Sequence, residues 1–366
     1  MGNPKAPTYV TDISATLNGD VYSNVEGQTK YWFRYGETAD YGTATPTRAI
    51  AIADDDPHPV SEPIAGLEPE TAYHFQMCVQ DAGEDPPRDI CSKDRSFTTG
   101  PAGGRSGIAF TSMVGSEWDV HVIAADGSGE TNLTGGATGD WNFMPEWSPD
   151  GRKIVFASTR GGNGSEIYVM DADGADKVPL TDGPDWVEAP AWSPDGTKIA
   201  YVSYGATDTA VHVMDADGRN QVPLAEGPVA GERPSWSPDG SRIVFRRFPD
   251  HDIYSIRADG SDKVNLTDTA DAAFAPEWSP DGRRIAFTRG WDVWTMDADG
   301  GNPVNVTNDA DEEYGPSWSP DGGRLAVRLP GLTSGGIHVM NADGSDQVNL
   351  TPGAPQEEWH SWSPRP

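Results

Sequence analysis

The chain has 366 residues, 36% of them hydrophobic and 13 of them tryptophan, which is enough material for two or three cores of ordinary size. Its 57 acidic against 26 basic residues leave a formal charge of -31. That charge repels nucleic-acid phosphate and anionic lipid over most of the exterior, and it points to neutral, basic or cationic partners.

No run of 18 apolar residues occurs and the opening "MGNPKAPTYV" has no signal-peptide pattern, so no membrane insertion is expected. With 42 Gly and 31 Pro, an all-β chain of short strands and tight turns is expected in place of long helices.

Residues 1–99 alternate in period two, as in "TKYWFRYG" from Thr29 and "TAYHFQMCVQ" from Thr71, which predicts an antiparallel β-sandwich. The stretch "LEPETAYHF", Leu67 to Phe75, together with "ATLNGDV" and "FRYGETADYGTATP", resembles fibronectin type III domains. The resemblance implies a spacer or adhesive module, with Tyr73 as the corner tyrosine whose hydroxyl ties down the neighbouring turn. Cys78 and Cys91, the only cysteines, flank "VQDAGEDPPRDI", whose centre reads as a hairpin loop. They form either a cross-strand disulfide in an oxidising compartment or two buried thiols, and their isolation on neighbouring strands favours the disulfide. The glycines of residues 100–106, in "TTGPAGGRSG", make a short linker.

From residue 107 onward the chain repeats. "PEWSPDGRKIVFAS" from Pro145 returns with small changes from Pro190, Pro234, Pro276 and Pro316, and "HSWSPRP" ends the series. Six apolar words ("GIAF", "KIVF", "KIAY", "RIVF", "RIAF", "RLAV") are each followed by a loop and a second strand such as "EIYVMDADG". One unit is four short strands in about 40 to 45 residues, the size of a propeller blade. In Ser-Pro-Asp-Gly, Pro presets a negative φ and Gly supplies a left-handed residue, so the chain reverses tightly, and Asp-Ala-Asp-Gly does the same later in the unit. The repeat begins without its Trp strand and finishes with that strand alone. The strand near residues 358–363 is therefore expected to complete the first unit and close a six-bladed ring.

The words "PxWSPDGxxIAFxS" and "IYVMDADGxxxxxLT" resemble TolB-like β-propeller repeats over residues 107–366. The resemblance implies a six-bladed propeller used for binding, in the bacterial periplasm or outside the cell. A fibronectin-like module stands where TolB has a different amino-terminal domain, so TolB's own partners are not implied.

No nucleophile elbow, zinc helix or phosphate loop is present, which removes the usual support for hydrolase and nucleotide functions. His121, His212 and His338 fill a position held elsewhere by Tyr168, Tyr254 and Trp294, so they read as packing residues. Asp-Ala-Asp-Gly resembles the start of a calcium loop but lacks the bidentate Glu; calcium is the one cofactor the sequence leaves open, and otherwise none is expected. Glu188, Glu232 and Glu358 share one repeat position with Phe143, Phe274 and Tyr314, forming either a cation site or a solvated rim.

The loops opposite the turns differ from unit to unit. They and the adjoining strand ends carry Trp141, Arg160, Trp186, Glu188, Glu232, Arg246, Arg289, Trp291, Glu358 and Trp359, residue types that anchor interfaces. The expectation is a non-catalytic, monomeric, periplasmic or extracellular protein that binds a protein or glycan through this loop face. The alternative is a carbohydrate-active enzyme with acids at the channel mouth.

Overall fold

The computed structural model describes residues 2–7, 10, 13–22, 27–52, 57–81, 88–99, 107–135, 139–162, 164–205, 209–225, 233–308, 311–330, 336–353 and 356–364. The linker 100–106, the centre of the cysteine-flanked hairpin and Glu232 lie outside them. Every described element is a strand. The chain divides into two compact units, Met1–Gly103 and Gly104–Pro366.

In the first unit, Gly2–Pro4, Ser14–Val21 and His58–Ala65 form one sheet, and a second is built on Gly27–Gly36 paired with Ala72–Asp81. Alternating side chains from both sheets, among them Leu17, Val60, Phe33, Phe75 and Met77, make a single core between them. The Tyr73 hydroxyl accepts a hydrogen bond from the Glu68 backbone N–H at 2.9 Å, fixing the turn that precedes its strand. Cys78 and Cys91 stand opposite each other in the ladder between Ala72–Asp81 and Arg88–Cys91 and are joined by a disulfide.

The second unit contains six four-stranded antiparallel sheets among its described residues. Five are continuous in sequence, the second for example running Asn142–Trp147, Lys153–Ser158, Glu166–Asp171, Val178–Pro179. The first takes Ile108–Val114, Glu117–Ile123 and Thr131–Asn132 from the start of the repeat and its fourth strand, Glu357–Trp362, from the end. Apolar residues of the middle strands, such as Ile154, Phe156, Ile243 and Phe287, are fully buried because sheets pack on both of their faces.

Each Ser-Pro-Asp-Gly turn is held by side chains as well as by Pro and Gly. Ser148 Oγ donates to Asp150 Oδ1 at 2.7 Å, Asp150 Oδ1 accepts from the Arg152 N–H, and Ser148 Oγ accepts from the Lys153 N–H at 2.9 Å. The same set recurs at Ser193–Asp195, Ser237–Asp239, Ser279–Asp281 and Ser319–Asp321. These are local turns whose polar groups satisfy one another. In the Asp-Ala-Asp-Gly turn, Gly300 has φ 89° and lies so close to the preceding sheet that a Cβ there would meet Leu266 O at 2.5 Å. The glycine thus sets sheet spacing as well as chain reversal.

The tryptophan before each turn (Trp147, Trp192, Trp236, Trp278, Trp318, Trp362) is buried, and in three units the side chain of the residue before it reaches the next sheet. The Trp192 N–H donates to Glu146 Oε1 at 2.9 Å, Trp278 N–H to Ser235 Oγ at 3.1 Å, and Trp318 N–H to Glu277 Oε1 at 2.9 Å.

A second device recurs at the other end of the sheets. Asp119 accepts from Thr134 Oγ1 at 2.7 Å and Asn132 Nδ2 at 2.9 Å, and Asp252 accepts from Thr267 and Asn265 in the same way. The sixth sheet has Gly336 where the acid should be. Glu357 replaces it: from the last strand of the first sheet it accepts from Thr351 Oγ1 and from the Ile337 N–H. The terminal strand therefore completes one sheet by backbone pairing and repairs its neighbour by a side chain.

Removing residues 357–366 deletes the ladder, the buried Trp362 and the Glu357 bonds together. Loss of one such buried Trp already costs about 3–5 kcal/mol. A fall in melting temperature of roughly 10 °C or more, or outright aggregation, is expected by calorimetry; a truncated protein melting within about a degree of the intact one would contradict the role given to this strand. Reduction of the Cys78–Cys91 bond should destabilise the first unit by roughly 2–4 kcal/mol and leave the transition of the second unit in place.

Candidate binding face of the second unit

Five inner strands bend at the same point. The ladder slips by a bulge just after Phe143, Glu188, Phe274, Tyr314 and Glu358, and the next residue in each (Met144, Ala189, Ala275, Gly315 and Trp359) adopts φ between 38° and 65°. The bend turns Phe143, Glu188, Phe274, Tyr314 and Glu358 towards one end of the sheets, as their shared repeat position predicts.

Two stacks of aromatic rings form there. In one, Trp186 lies 6.3 Å from Phe143, Phe143 lies 6.1 Å from Trp359, and Trp359 lies 6.5 Å from Trp118. In the other, Phe274, Trp291 and Tyr314 are mutually within 6.0–6.4 Å. A cleft lies between the stacks, lined by Tyr314 from one and Trp359 from the other, with Arg328, Arg233 and His360 deeper in. Arg328 is paired with Glu358 at 3.3 Å. Glu188 accepts from Trp186 Nε1 at 2.9 Å, and burial pushes its carboxyl above the usual range.

The structure brings together Trp186, Glu188, Trp291, Glu358 and Trp359, but it assigns the arginines differently from the sequence reading. Arg246 is 7% exposed, with its guanidinium 4.1 Å over the Phe274 ring and 5.1 Å over Phe248. Arg289 stacks 3.6 Å over Trp294, and Arg160 donates to Asn142 Oδ1 at 2.6 Å and to Ser158 Oγ at 3.0 Å. All three brace aromatic and polar groups of the sheets, because a guanidinium plane gains more from a neighbouring ring than from projecting into water. Trp359 also departs from expectation. It packs on the core beneath the face, so its removal would disturb folding as well as binding. Trp141 is 46% exposed and its backbone N–H donates to Thr159 Oγ1, outside both stacks.

Below the cleft lies a charged group that the repeat words concealed. Arg233 is 8% exposed and its guanidinium donates to His360 O. Its charge acts on both Glu146 and Glu277, which protein encloses except for a strip of surface left to solvent. Burial, offset by Arg233, pushes the Glu146 carboxyl up to about 8, and burial likewise raises Glu277. His360 donates through Nε2 to Ala326 O at 3.0 Å, and burial, aided by Arg233, pushes its ring down to about 3, so it is neutral. The signal was present in the alternation "PEW", "PAW", "PSW" just before each conserved word: only the second and fifth sheets place an acid there.

The turn carboxylates are engaged by their own turns. Asp173 Oδ1 and Asp299 Oδ1 accept from their own turn amides at 3.0 and 2.9 Å. Among the described residues no group of three or more His, Cys, Asp or Glu is placed to hold a metal ion. His121 and His212 pack against Phe110 and Tyr201.

The buried acids fix the sign of a pH dependence. A carboxyl raised from 4.5 to about 8 on folding contributes stability that is complete below 4.5 and is lost as pH rises towards 8. Glu146→Gln, which keeps an acceptor for the Trp192 N–H, should therefore gain on the wild type as pH rises from 5 to 9. Paired urea melts at the two pH values check this, and equal gaps at both would contradict it. His360 acts in the opposite sense, its contribution fading as pH falls from 6.5 to about 3.

The comparisons with known proteins agree on the architecture. In solved structures the chain is similar to TolB from Acinetobacter baumannii (18% identity, 80% of each chain covered, TM-score 0.64) and to a putative TolB from Agrobacterium tumefaciens (20% identity, 71% of this chain and 99% of that one, TM-score 0.55). It is also 45% identical over 40 residues to an uncharacterized peptidase, YuxL, of Bacillus subtilis strain 168, a stretch that is 11% of this chain and only 6% of that relative. No helix among the described residues is long and apolar enough to cross a membrane. The TolB beta propeller domain model matches residues 163–366, and with the repeated four-stranded sheets it establishes that the chain belongs to this propeller family.

Proposed function

We propose that this is a monomeric, periplasmic or extracellular binding protein, a fibronectin type III-like sandwich followed by a closed six-bladed propeller. Its loop face grips a protein or an extracellular glycan. The observation that carries the reading is the gathering of seven aromatic rings in two groups on either side of a small cleft. The Ser-Pro-Asp-Gly and Asp-Ala-Asp-Gly turns present nearly the same surface in every unit, which gives little basis for choosing one partner. The loop face differs from unit to unit, and exposed aromatic side chains around a desolvated centre are the usual energetic anchors of an interface.

The six sheets closed by Glu357–Trp362 favour a ring, and a ring holds the two stacks at a fixed separation, so the partner meets a preorganised surface. Glu232 shares the rim position of Glu188 and Glu358 and belongs to the same proposed face, although it lies outside the described residues.

A peptide and glycan binding screen, with turnover of each ligand followed in the same wells, tests the reading. Trp186, 38% exposed, is a cleaner probe than Trp359, which packs on the core. Trp186→Ala is expected to weaken binding by about 2 kcal/mol, roughly thirtyfold, without lowering the melting temperature. A crosslinking footprint on the turn side or on residues 1–99 would refute the loop-face assignment, and a ligand chemically altered in the wells would replace binding by catalysis.

A further inference from the structure

Trp186, Phe143, Trp359 and Trp118 form an unbroken row of rings, each 6.1–6.5 Å from the next. Glu188 closes one end of the row, holding the Trp186 indole N–H at 2.9 Å. The other acids of this region have basic counterparts: Arg328 for Glu358, and Arg233 for Glu146 and Glu277. Glu188 is different. Its polar partners are Trp186 and Tyr204, and among the described residues no lysine, arginine or histidine is in contact with it.

An aromatic row ending in an unneutralised carboxylate offers π-faces and acceptors. The Trp186 donor is already engaged by Glu188, so a sugar, which carries as many acceptors as donors, would leave acceptors unanswered at this end. An ammonium group has three donors and no acceptor, and its alkyl stem suits indole faces. A protein with a formal charge of -31 also draws basic partners from a distance.

We propose that this row and Glu188 form a subsite for a lysine side chain of a basic protein partner. The methylene stem lies along the exposed face of Trp186, which the buried Phe143 ring backs, and the ammonium sits against Glu188, gaining both the ion pair and the cation–π attraction of the Trp186 indole. The proposal deepens the loop-face reading and rests on it. Burial alone holds the Glu188 carboxyl above its usual range, and an arriving ammonium would reverse that shift, so binding should weaken as pH falls and the carboxyl is protonated.

The test uses the full chain and two peptides, acetyl-Gly-Lys-Gly-amide and its norleucine counterpart, followed by saturation-transfer NMR and tryptophan fluorescence at low ionic strength. The lysine peptide is expected to bind about tenfold more tightly than the norleucine peptide, with the preference fading at high salt. Glu188→Gln, close to isosteric, should abolish the preference while melting like the wild type, and Trp186→Ala should weaken both peptides.

Equal binding of the two peptides would overturn the subsite, as would a lysine preference that survives Glu188→Gln. A partner from the screen that crosslinks to the loop face yet ignores Glu188→Gln, a neutral glycan included, would sink this inference and leave the broader reading standing. A partner that crosslinks to the turn side would sink the broader reading itself.

Discussion

The ladder between Ile108–Val114 and Glu357–Trp362 is the contact on which the second unit depends. Every other sheet is assembled from neighbouring residues, so each could form from a short piece of chain. The first sheet cannot. Its fourth strand comes from the opposite end of the repeat, and with it come Trp362 for the interior and Glu357 for the acid position left vacant at Gly336. Without these, the first sheet would keep an unpaired edge and the Thr351 hydroxyl of the sixth would lose its acceptor, and such groups are costly once they are removed from water.

That constraint also organises the electrostatics. Arg233, Glu146, Glu277 and His360 come from four different sheets and meet only because the sheets converge at their inner strands. One guanidinium between two enclosed carboxylates cannot neutralise both, and burial resolves the conflict by favouring the protonated form of an acid. The formal charge of the chain therefore overstates the negative charge of its interior. The acidic excess resides mainly on the surface turns, where Asp and Ser satisfy each other and water does the rest.

The sequence is most informative where structure is decided locally. Turn chemistry repeats in the words themselves, so Trp-Ser-Pro-Asp-Gly marks each inner strand and its reversal, and Tyr73 can be placed by the residues around it. Pairing of the terminal strand was also legible, since a missing strand at one end and a surplus at the other admit few solutions. What could not be read depends on neighbours far away in the chain. Arg246 looks like an exposed anchor until Phe274 of the following sheet is seen beneath it. Trp359 looks like a surface residue until Phe143 and Trp118 enclose it. Glu357 is unremarkable in its own strand and matters only because Gly336 breaks a pattern in another.

The terminal strand also sets an order of events during synthesis. The growing chain exposes Ile108–Val114 early, and this apolar strand then waits with one edge unpaired while five further sheets emerge and fold beside it. Until Glu357–Trp362 clears the ribosome, the nascent protein carries a ready template for pairing with another chain. A cell that stalls translation just before Glu357–Trp362 would thus release a product with five of these sheets intact and one adhesive seam. For this fold the codons of Glu357–Trp362 are the ones that cover the waiting edge.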